Sequence, residues 1–230
     1  MPGSWLAPID SYCERLGPGF WGEPLNAVTN GAFLAAALYA LALWRRAGAR
    51  DGPALWLIAV TFIVGTGSFL FHTFANRWSL LADVLPIALF IYSYFLLAML
   101  RYLNLGRIAA IAVTVLFALF NLSFGRLWFS VLPGVTLNGS VGYIPTALAL
   151  PTVGIACLVS GATEAGRALL AAACVFALSL LFRSLDGTVC ATIPAGSHFL
   201  WHGLNALVLF ILMKAAIVHP SPKSSSHVQG

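Results

Sequence analysis

The sequence predicts an all-α polytopic membrane protein, a bundle of seven transmembrane helices, and three observations carry this prediction. Of the 230 residues, 60% are hydrophobic and only 8% are charged, against about 25% charged in a typical soluble domain. The mean hydropathy is +0.91. The apolar residues form runs of roughly 20, the length that crosses a bilayer as a helix. A large soluble domain, a nucleic-acid-binding protein and a disordered regulator are therefore excluded.

The breaks between apolar runs fall at charged residues and at stretches rich in glycine and proline. They divide the chain into an extramembrane N-terminal segment (1–24), a seven-helix domain (25–218) and a polar tail (219–230) that we expect to be disordered. Length and hydropathy place the helices, because lipid-facing and buried helix faces are both apolar. The seven predicted helices span 25–44, 54–74, 79–100, 107–124, 142–161, 166–184 and 197–218.

The basic residues favour one orientation of this bundle. Eight of the twelve Lys and Arg residues lie on the side that holds the loops after the first, third and fifth predicted helices and the C-terminal end, and four lie on the opposite side. By the positive-inside rule, the N-terminus is predicted to lie outside and the C-terminus in the cytoplasm. Five of the seven acidic residues fall on the outer side, which the rule does not explain. Their bias predicts a functional site near the periplasmic or lumenal face.

Three histidines are predicted to meet near that face. His72 closes the second predicted helix, and His198 and His202 lie one turn apart on the seventh, so both project from one helix face. The second helix runs outward and the seventh inward, which brings the three imidazoles to a similar depth. Three histidine ligands with an open fourth position are typical of a catalytic zinc site. Iron or copper would also accept imidazole, and core histidines bonded to the backbone are the structural alternative.

Two polar residues accompany the histidines. Ser68 lies one turn before His72, and Asp83 follows a short turn that returns it to the depth of His72. A carboxylate beside a zinc-activated water can accept its proton. Asp83 could instead sit at a helix end or hydrogen-bond a histidine ligand. The Ser68 hydroxyl could bond its own helix backbone.

The N-terminal segment holds a second polar cluster, formed by Asp10, Glu14 and Glu23 in a glycine-rich, aromatic stretch. Three carboxylates so close in sequence suggest a hard cation such as calcium, which takes six to eight oxygen ligands. The spacing is not that of an EF-hand. A solvated acidic loop is the alternative.

The arrangement of these residues resembles the alkaline ceramidases, which belong to a superfamily of seven-helix membrane hydrolases that includes the adiponectin receptors. The resemblance covers nearly the whole chain. It departs from the family pattern at Ser11, which is inserted, and at Leu16, where the family has Asn. The matching motifs are Asp10-x-Tyr12-Cys13-Glu14, Asn26 to Asn30, Gly67-Ser68 with His72, Asp83, and His198-x-x-Trp201-His202.

The resemblance implies a zinc-dependent amidase that hydrolyses ceramide to a sphingoid base and a fatty acid. It implies zinc on the three histidines, with Ser68 and Asp83 as catalytic residues and Trp201 lining the substrate site. It also implies a structural or regulatory calcium ion on the three N-terminal acids. The expected partner is a membrane lipid, with no nucleic acid or protein partner. Another lipid hydrolase of the superfamily, and a receptor or transporter with structural zinc, remain as alternatives.

The four cysteines fall into two pairs. Cys157 and Cys174 lie within predicted helices, where a lone cysteine usually packs as a small apolar residue. Cys13 and Cys190 both fall on the outer, oxidising side. A disulfide between them would tie the N-terminal segment to the seventh helix, and the ceramidase resemblance implies the same bond. Two unpaired thiols in a reducing compartment are the alternative.

Overall fold

Seven helices that are long and apolar enough to cross a membrane make up most of residues 4–219, the part of the chain that a computed structural model describes. These residues form no β-strand, so the all-α, seven-helix prediction is confirmed. The predicted tail lies outside the described residues except for His219. In chain order the helices are α1 (Pro24–Thr29) and α2 (Gly31–Arg46), which together form the first span, then α3 (Gly52–Phe74), α4 (Arg77–Arg101), α5 (Arg107–Val131), α6 (Ile144–Val159), α7 (Thr163–Val189) and α8 (His198–Val218).

α5 and α7 exceed their predicted lengths by the most. α5 extends seven residues past its predicted end, to Val131, and α7 extends past its predicted bounds at both ends. The predicted helix ends at residue 184, one residue after Arg183, whereas α7 continues to Val189. An arginine is costly inside a bilayer, and the Arg183 guanidinium donates a hydrogen bond to the Tyr12 hydroxyl (2.8 Å). A buried partner therefore replaces the water that the arginine would otherwise need.

The ends of α3 and α4 follow from local capping. The Asp51 side chain accepts a hydrogen bond from the backbone N–H of Ala54 (3.0 Å) and starts α3. Only Ala75 and Asn76 separate α3 from α4; Ala75 has a left-handed backbone (φ 43°). Asn76 then forms a capping box with Ser79 at the start of α4. The two helices therefore form a tight antiparallel hairpin.

α3 and α8 are the most buried spans, and α5 is the most exposed. α3 packs against α4, α2 and α8. At Gly67, α3 comes so close to α4 that a Cβ atom would overlap the backbone carbonyl of Ala82. A glycine at this position therefore sets the spacing between the helices that carry His72 and Asp83.

Polar contacts mark both ends of the bundle. We call the end where α3 finishes and α8 begins the histidine end, and the other the Arg101 end. The Arg101 side chain is buried there and donates to both carboxylate oxygens of Asp51 (2.8 and 3.0 Å) and to the Ala216 carbonyl (2.7 Å). These bonds tie together the start of α3 and the last turns of α4 and α8.

The N-terminal segment (residues 4–23) lies across the histidine end. The backbone N–H of Ile9 donates to the Ala75 carbonyl (2.7 Å). A disulfide joins Cys13 to Cys190, with Cα atoms 5.2 Å apart, which confirms the predicted bond. The segment is therefore fastened to both the α3–α4 turn and the end of α7.

The other two cysteines lie within helices, as predicted, but differ in burial. Cys157 is fully buried between α6 and its neighbours. Cys174 is exposed on the surface of α7. On that surface a small apolar side chain is compatible with contact to lipid.

Asp51→Asn should lower the free energy of unfolding by about 1–3 kcal/mol, because it removes the charge that pairs with the buried Arg101 guanidinium. Chemical unfolding in detergent measures this change. The control is Glu164→Gln, whose ion pair with Arg167 is about two-thirds exposed and should contribute less than about 1 kcal/mol. Equal losses in the two variants would contradict the structural role of the Arg101–Asp51 pair.

Candidate metal centre

His72, His198 and His202 form a buried cluster at the histidine end. One ring nitrogen from each lies within 4.8 Å of the other two, and the Nε2 atoms of His72 and His202 are 3.1 Å apart. His72 lies in the last turn of α3, and the other two lie in the first two turns of α8. The prediction that the three imidazoles converge is therefore confirmed.

Neighbouring side chains fix the tautomers of two of these rings. His72 Nδ1 lies 2.5 Å from a Glu23 carboxylate oxygen, to which it donates its proton. His202 Nδ1 lies 2.9 Å from the Thr29 hydroxyl. That hydroxyl donates its own proton to the Leu25 carbonyl (2.8 Å) and therefore accepts from Nδ1. In both rings Nε2 is left with its lone pair, as a metal ligand requires.

The third ring, His198, has an unpartnered polar atom. Its Nδ1 is buried and finds no hydrogen-bond partner among residues 4–219. The face of the ring stacks on Tyr12, with the centroids 3.7 Å apart. A buried nitrogen without a partner is costly, and a bound metal ion or polar ligand in the cluster would offset that cost.

The donor set fits a metal ion of the first transition series. Tetrahedral zinc with Zn–N bonds of about 2.1 Å holds its ligand nitrogens about 3.4 Å apart. The Nε2 atoms of His72 and His202 are already near that separation. Three imidazoles leave a fourth position for water or substrate. Iron and copper also accept imidazole, so the cluster defines a candidate site for this class of metals.

Asp186 fixes the position of His198, a role that the sequence did not reveal. This fully buried carboxylate accepts hydrogen bonds from the backbone N–H groups of Ser197 (2.7 Å), His198 (2.9 Å) and Cys13 (3.0 Å). Gly196, directly before Ser197, has a backbone φ of +65°, and a Cβ atom at this position would collide with the Asp186 carboxylate. The glycine before Ser197-His198 is the local signal of this turn. The bond to Cys13 spans most of the chain and has no local signal.

The Arg183 guanidinium packs against three aromatic rings beside the cluster. The guanidinium lies 5.0–5.5 Å from the ring centroids of Tyr12, Tyr143 and Trp201. Burial raises the pKa of Tyr12; the charge of Arg183 opposes this rise and the charge of Asp83 adds to it. Tyr12 is therefore neutral and serves as an aromatic surface and a hydrogen-bond acceptor for Arg183.

Ser68 and Asp83, the two predicted catalytic residues, are brought together by the close contact of α3 and α4. Both side chains are buried. Ser68 follows Gly67, whose Cβ position faces Ala82 and the backbone nitrogen of Asp83. The Asp83 carboxylate oxygen Oδ1 has no hydrogen-bond partner among the described residues. The catalytic roles of the two residues stay predictions.

An apolar cavity between the helices adjoins the cluster. Ser68 and Trp201 line it at the histidine end, and Ala98 and Leu212 line it towards the Arg101 end. It follows α8 from Trp201 to Leu212, a rise of about 16 Å; its volume is about 90 Å³, and it opens to the outside. Trp201, which is predicted to line the substrate site, lines this cavity.

The three predicted calcium ligands have separate surroundings. Glu14 accepts hydrogen bonds from the backbone N–H groups of Leu25 (2.6 Å) and Asn26 (2.7 Å), which lie in the first turn of α1. Asp10 is exposed. The Glu23 carboxylate contacts His72 Nδ1. Within residues 4–219, the histidine cluster is the group of metal-ligating side chains whose ligand atoms converge.

Both oxygens of Glu23 have protein partners. One pairs with the Arg15 guanidinium, and the other contacts His72 Nδ1 and accepts from the Asn26 side chain (3.2 Å). Burial raises the pKa of the Glu23 carboxyl, and the Arg15 charge works in the opposite direction. The carboxylates of the N-terminal segment thus do not fit a shared calcium ion, and calcium binding stays a prediction without support from their geometry.

No family model matches the chain, and no curated protein matches it at a significant level. The class of protein therefore follows from the fold and the site themselves. They define a multi-pass membrane protein with a disulfide-fastened N-terminal segment and a buried three-histidine candidate metal site.

Replacing any one of His72, His198 and His202 with alanine should abolish metal binding, because two imidazoles leave zinc under-coordinated. Elemental analysis of the purified wild type should find about one zinc ion per chain. His219→Ala is the control, because His219 follows α8 at the Arg101 end, and it should keep its metal. Full metal content in His198→Ala would contradict the assignment.

Proposed function

We propose that the protein is a zinc-dependent membrane amidase that hydrolyses the N-acyl bond of ceramide-like sphingolipids to a sphingoid base and a free fatty acid. One observation carries the proposal: the buried three-histidine cluster adjoins a long apolar cavity, with Ser68 and Trp201 at the junction. The resemblance to the alkaline ceramidases, carried by the same residues, supports the same activity.

The lining of the cavity favours a lipid as the substrate. Most of its side chains are aliphatic or aromatic, and its few polar members include Ser68, Thr146 and Asn205. A pocket of this kind binds an apolar tail and orients it through a small number of polar groups. A lipid amide with apolar tails fits this division, with a tail in the cavity and the amide at the histidine end.

The proposed chemistry is metal-assisted amide hydrolysis. Zinc held by the three imidazoles would supply Lewis acidity and would lower the pKa of a bound water to about 7. Asp83 takes a proton from the attacking water and returns it to the leaving amine. Its Oδ1 atom, which lacks a protein partner in the described residues, is available for this transfer. Ser68 donates a hydrogen bond to the amide oxygen as negative charge develops there.

We place the histidine end at the outer, periplasmic or lumenal, face of the membrane. The disulfide at this end supports an oxidising compartment. The opposite end carries the larger share of basic residues, which the positive-inside rule assigns to the cytoplasm. Basic residues at the starts or ends of helices there are Arg45, Arg46, Arg101, Arg107 and Arg167.

Purified protein should release a sphingoid base and a fatty acid in equal amounts from a panel of ceramides. Asp83→Asn should retain zinc and lose at least about a hundredfold in turnover, because it removes the proton-transferring group. Glu164→Gln is the control, because Glu164 is an exposed carboxylate at the Arg101 end. It should retain both zinc and turnover.

Three other outcomes would contradict this proposal. Zinc without turnover on any N-acyl lipid would favour a receptor or transporter with a structural metal. Turnover on esters alone would favour a different lipid hydrolase. Loss of zinc together with activity in Asp83→Asn would assign Asp83 to the metal site instead of to proton transfer.

Ala149→Phe should shift the substrate preference towards shorter acyl chains. Ala149 lines the cavity from α6, and a phenyl ring there would take up space proposed for a tail. We expect kcat/KM for long-chain ceramides to fall at least about tenfold, with short-chain substrates much less affected. Ile155→Phe adds the same ring on the exposed side of α6 and should leave kcat/KM unchanged for both long-chain and short-chain substrates. A uniform loss across chain lengths would argue against a tail in this cavity.

A further inference from the structure

Arg15 is a buried cation inside the N-terminal segment. Its guanidinium pairs with Glu23 and donates to the backbone carbonyls of Gly17 (3.0 Å) and His72 (3.0 Å). Only 4% of the side chain is exposed. A single guanidinium therefore joins the segment, the carboxylate before α1 and the last turn of α3.

Glu23 connects this cation to the histidine cluster. Its side chain is 2% exposed, and one carboxylate oxygen accepts the proton of His72 Nδ1 at 2.5 Å. The other ring nitrogen, Nε2, faces Nε2 of His202. A carboxylate on the far nitrogen of a metal-binding histidine fixes the orientation of the ring and raises its basicity. Glu23 has this geometry, whereas Thr29 offers His202 an uncharged partner.

We propose that Glu23 is a positioning residue of the metal centre, and that Arg15 supplies the positive charge that the N-terminal acids were expected to take from calcium. Glu23 holds His72 in the tautomer and orientation that zinc requires, and Arg15 holds Glu23. Zinc retention is then independent of calcium. The proposal rests on zinc binding by the three histidines, which the proposed function also needs, and not on the substrate.

The zinc affinity of the purified full chain, measured by competition with a chromogenic chelator, tests the role of Glu23. Glu23→Gln keeps the size of the side chain and an oxygen that can accept from Nδ1, but it removes the charge. The zinc dissociation constant should rise about 10–100-fold. Asp51→Asn is the matched control, because it disrupts another carboxylate–arginine pair at the Arg101 end. It should leave zinc affinity unchanged within about twofold.

A second variant covers the case in which Glu23→Gln fails to fold because Arg15 loses its counter-charge. Arg15→Gln combined with Glu23→Gln removes both charges, and its thermal unfolding reports whether the fold is kept. We expect a folded protein with the same weakened zinc affinity. Wild-type zinc affinity in either folded variant would overturn the role of Glu23, and so would an equal loss in Asp51→Asn.

Calcium titration tests the role of Arg15. Zinc-loaded wild type in calcium-free buffer should show no change in unfolding temperature when calcium is added. A calcium-dependent rise that disappears in Asp10→Asn would overturn the assignment of Arg15. Neither experiment uses a lipid substrate, so a failure of the amidase proposal would leave both readouts interpretable.

Discussion

A polar atom buried between transmembrane helices must find its partner within the protein, because the bilayer core offers no water. Acids meet this constraint at three helix starts, where Glu14, Asp51 and Asp186 accept backbone N–H groups of α1, α3 and α8. Each bond fixes the depth of the residues that follow. Within residues 4–219, most buried side-chain atoms without a partner lie at the histidine end or along the cavity, among them His198 Nδ1 and Asp83 Oδ1. Such atoms in an otherwise satisfied interior are available to a ligand or an ordered water.

The N-terminal segment is part of this site. Tyr12 covers one face of His198, and Glu23 bonds the far nitrogen of His72. The disulfide at Cys13 and the hydrogen bond from its backbone to Asp186 hold the segment against α7. The histidines come from two helices, but residues before the first span fix their orientation. The segment therefore helps to hold the cluster in its geometry at the histidine end of the bundle.

Hydropathy predicted the seven spans because the bilayer imposes a length on each helix. The convergence of the histidines was also predictable, since His198 and His202 share a face and the α3 hairpin fixes the depth of His72. The partner of the Arg183 side chain was not, because Tyr12 is distant from it in sequence. The same holds for the Glu23–His72 contact and for Asp186 with Cys13. Close spacing and the ceramidase resemblance grouped the N-terminal acids as calcium ligands. The partners of Glu14 are backbone N–H groups, and those of Glu23 are Arg15, His72 and Asn26.

Zinc K-edge X-ray absorption of the purified protein tests most directly whether the three histidines form the metal centre. We expect a shell of nitrogen and oxygen ligands at about 2.0–2.1 Å, with the outer-shell scattering of three imidazoles. In His202→Ala this imidazole signal should vanish with the metal. A sulfur shell at about 2.3 Å, or a zinc spectrum without imidazole scattering, would contradict the account.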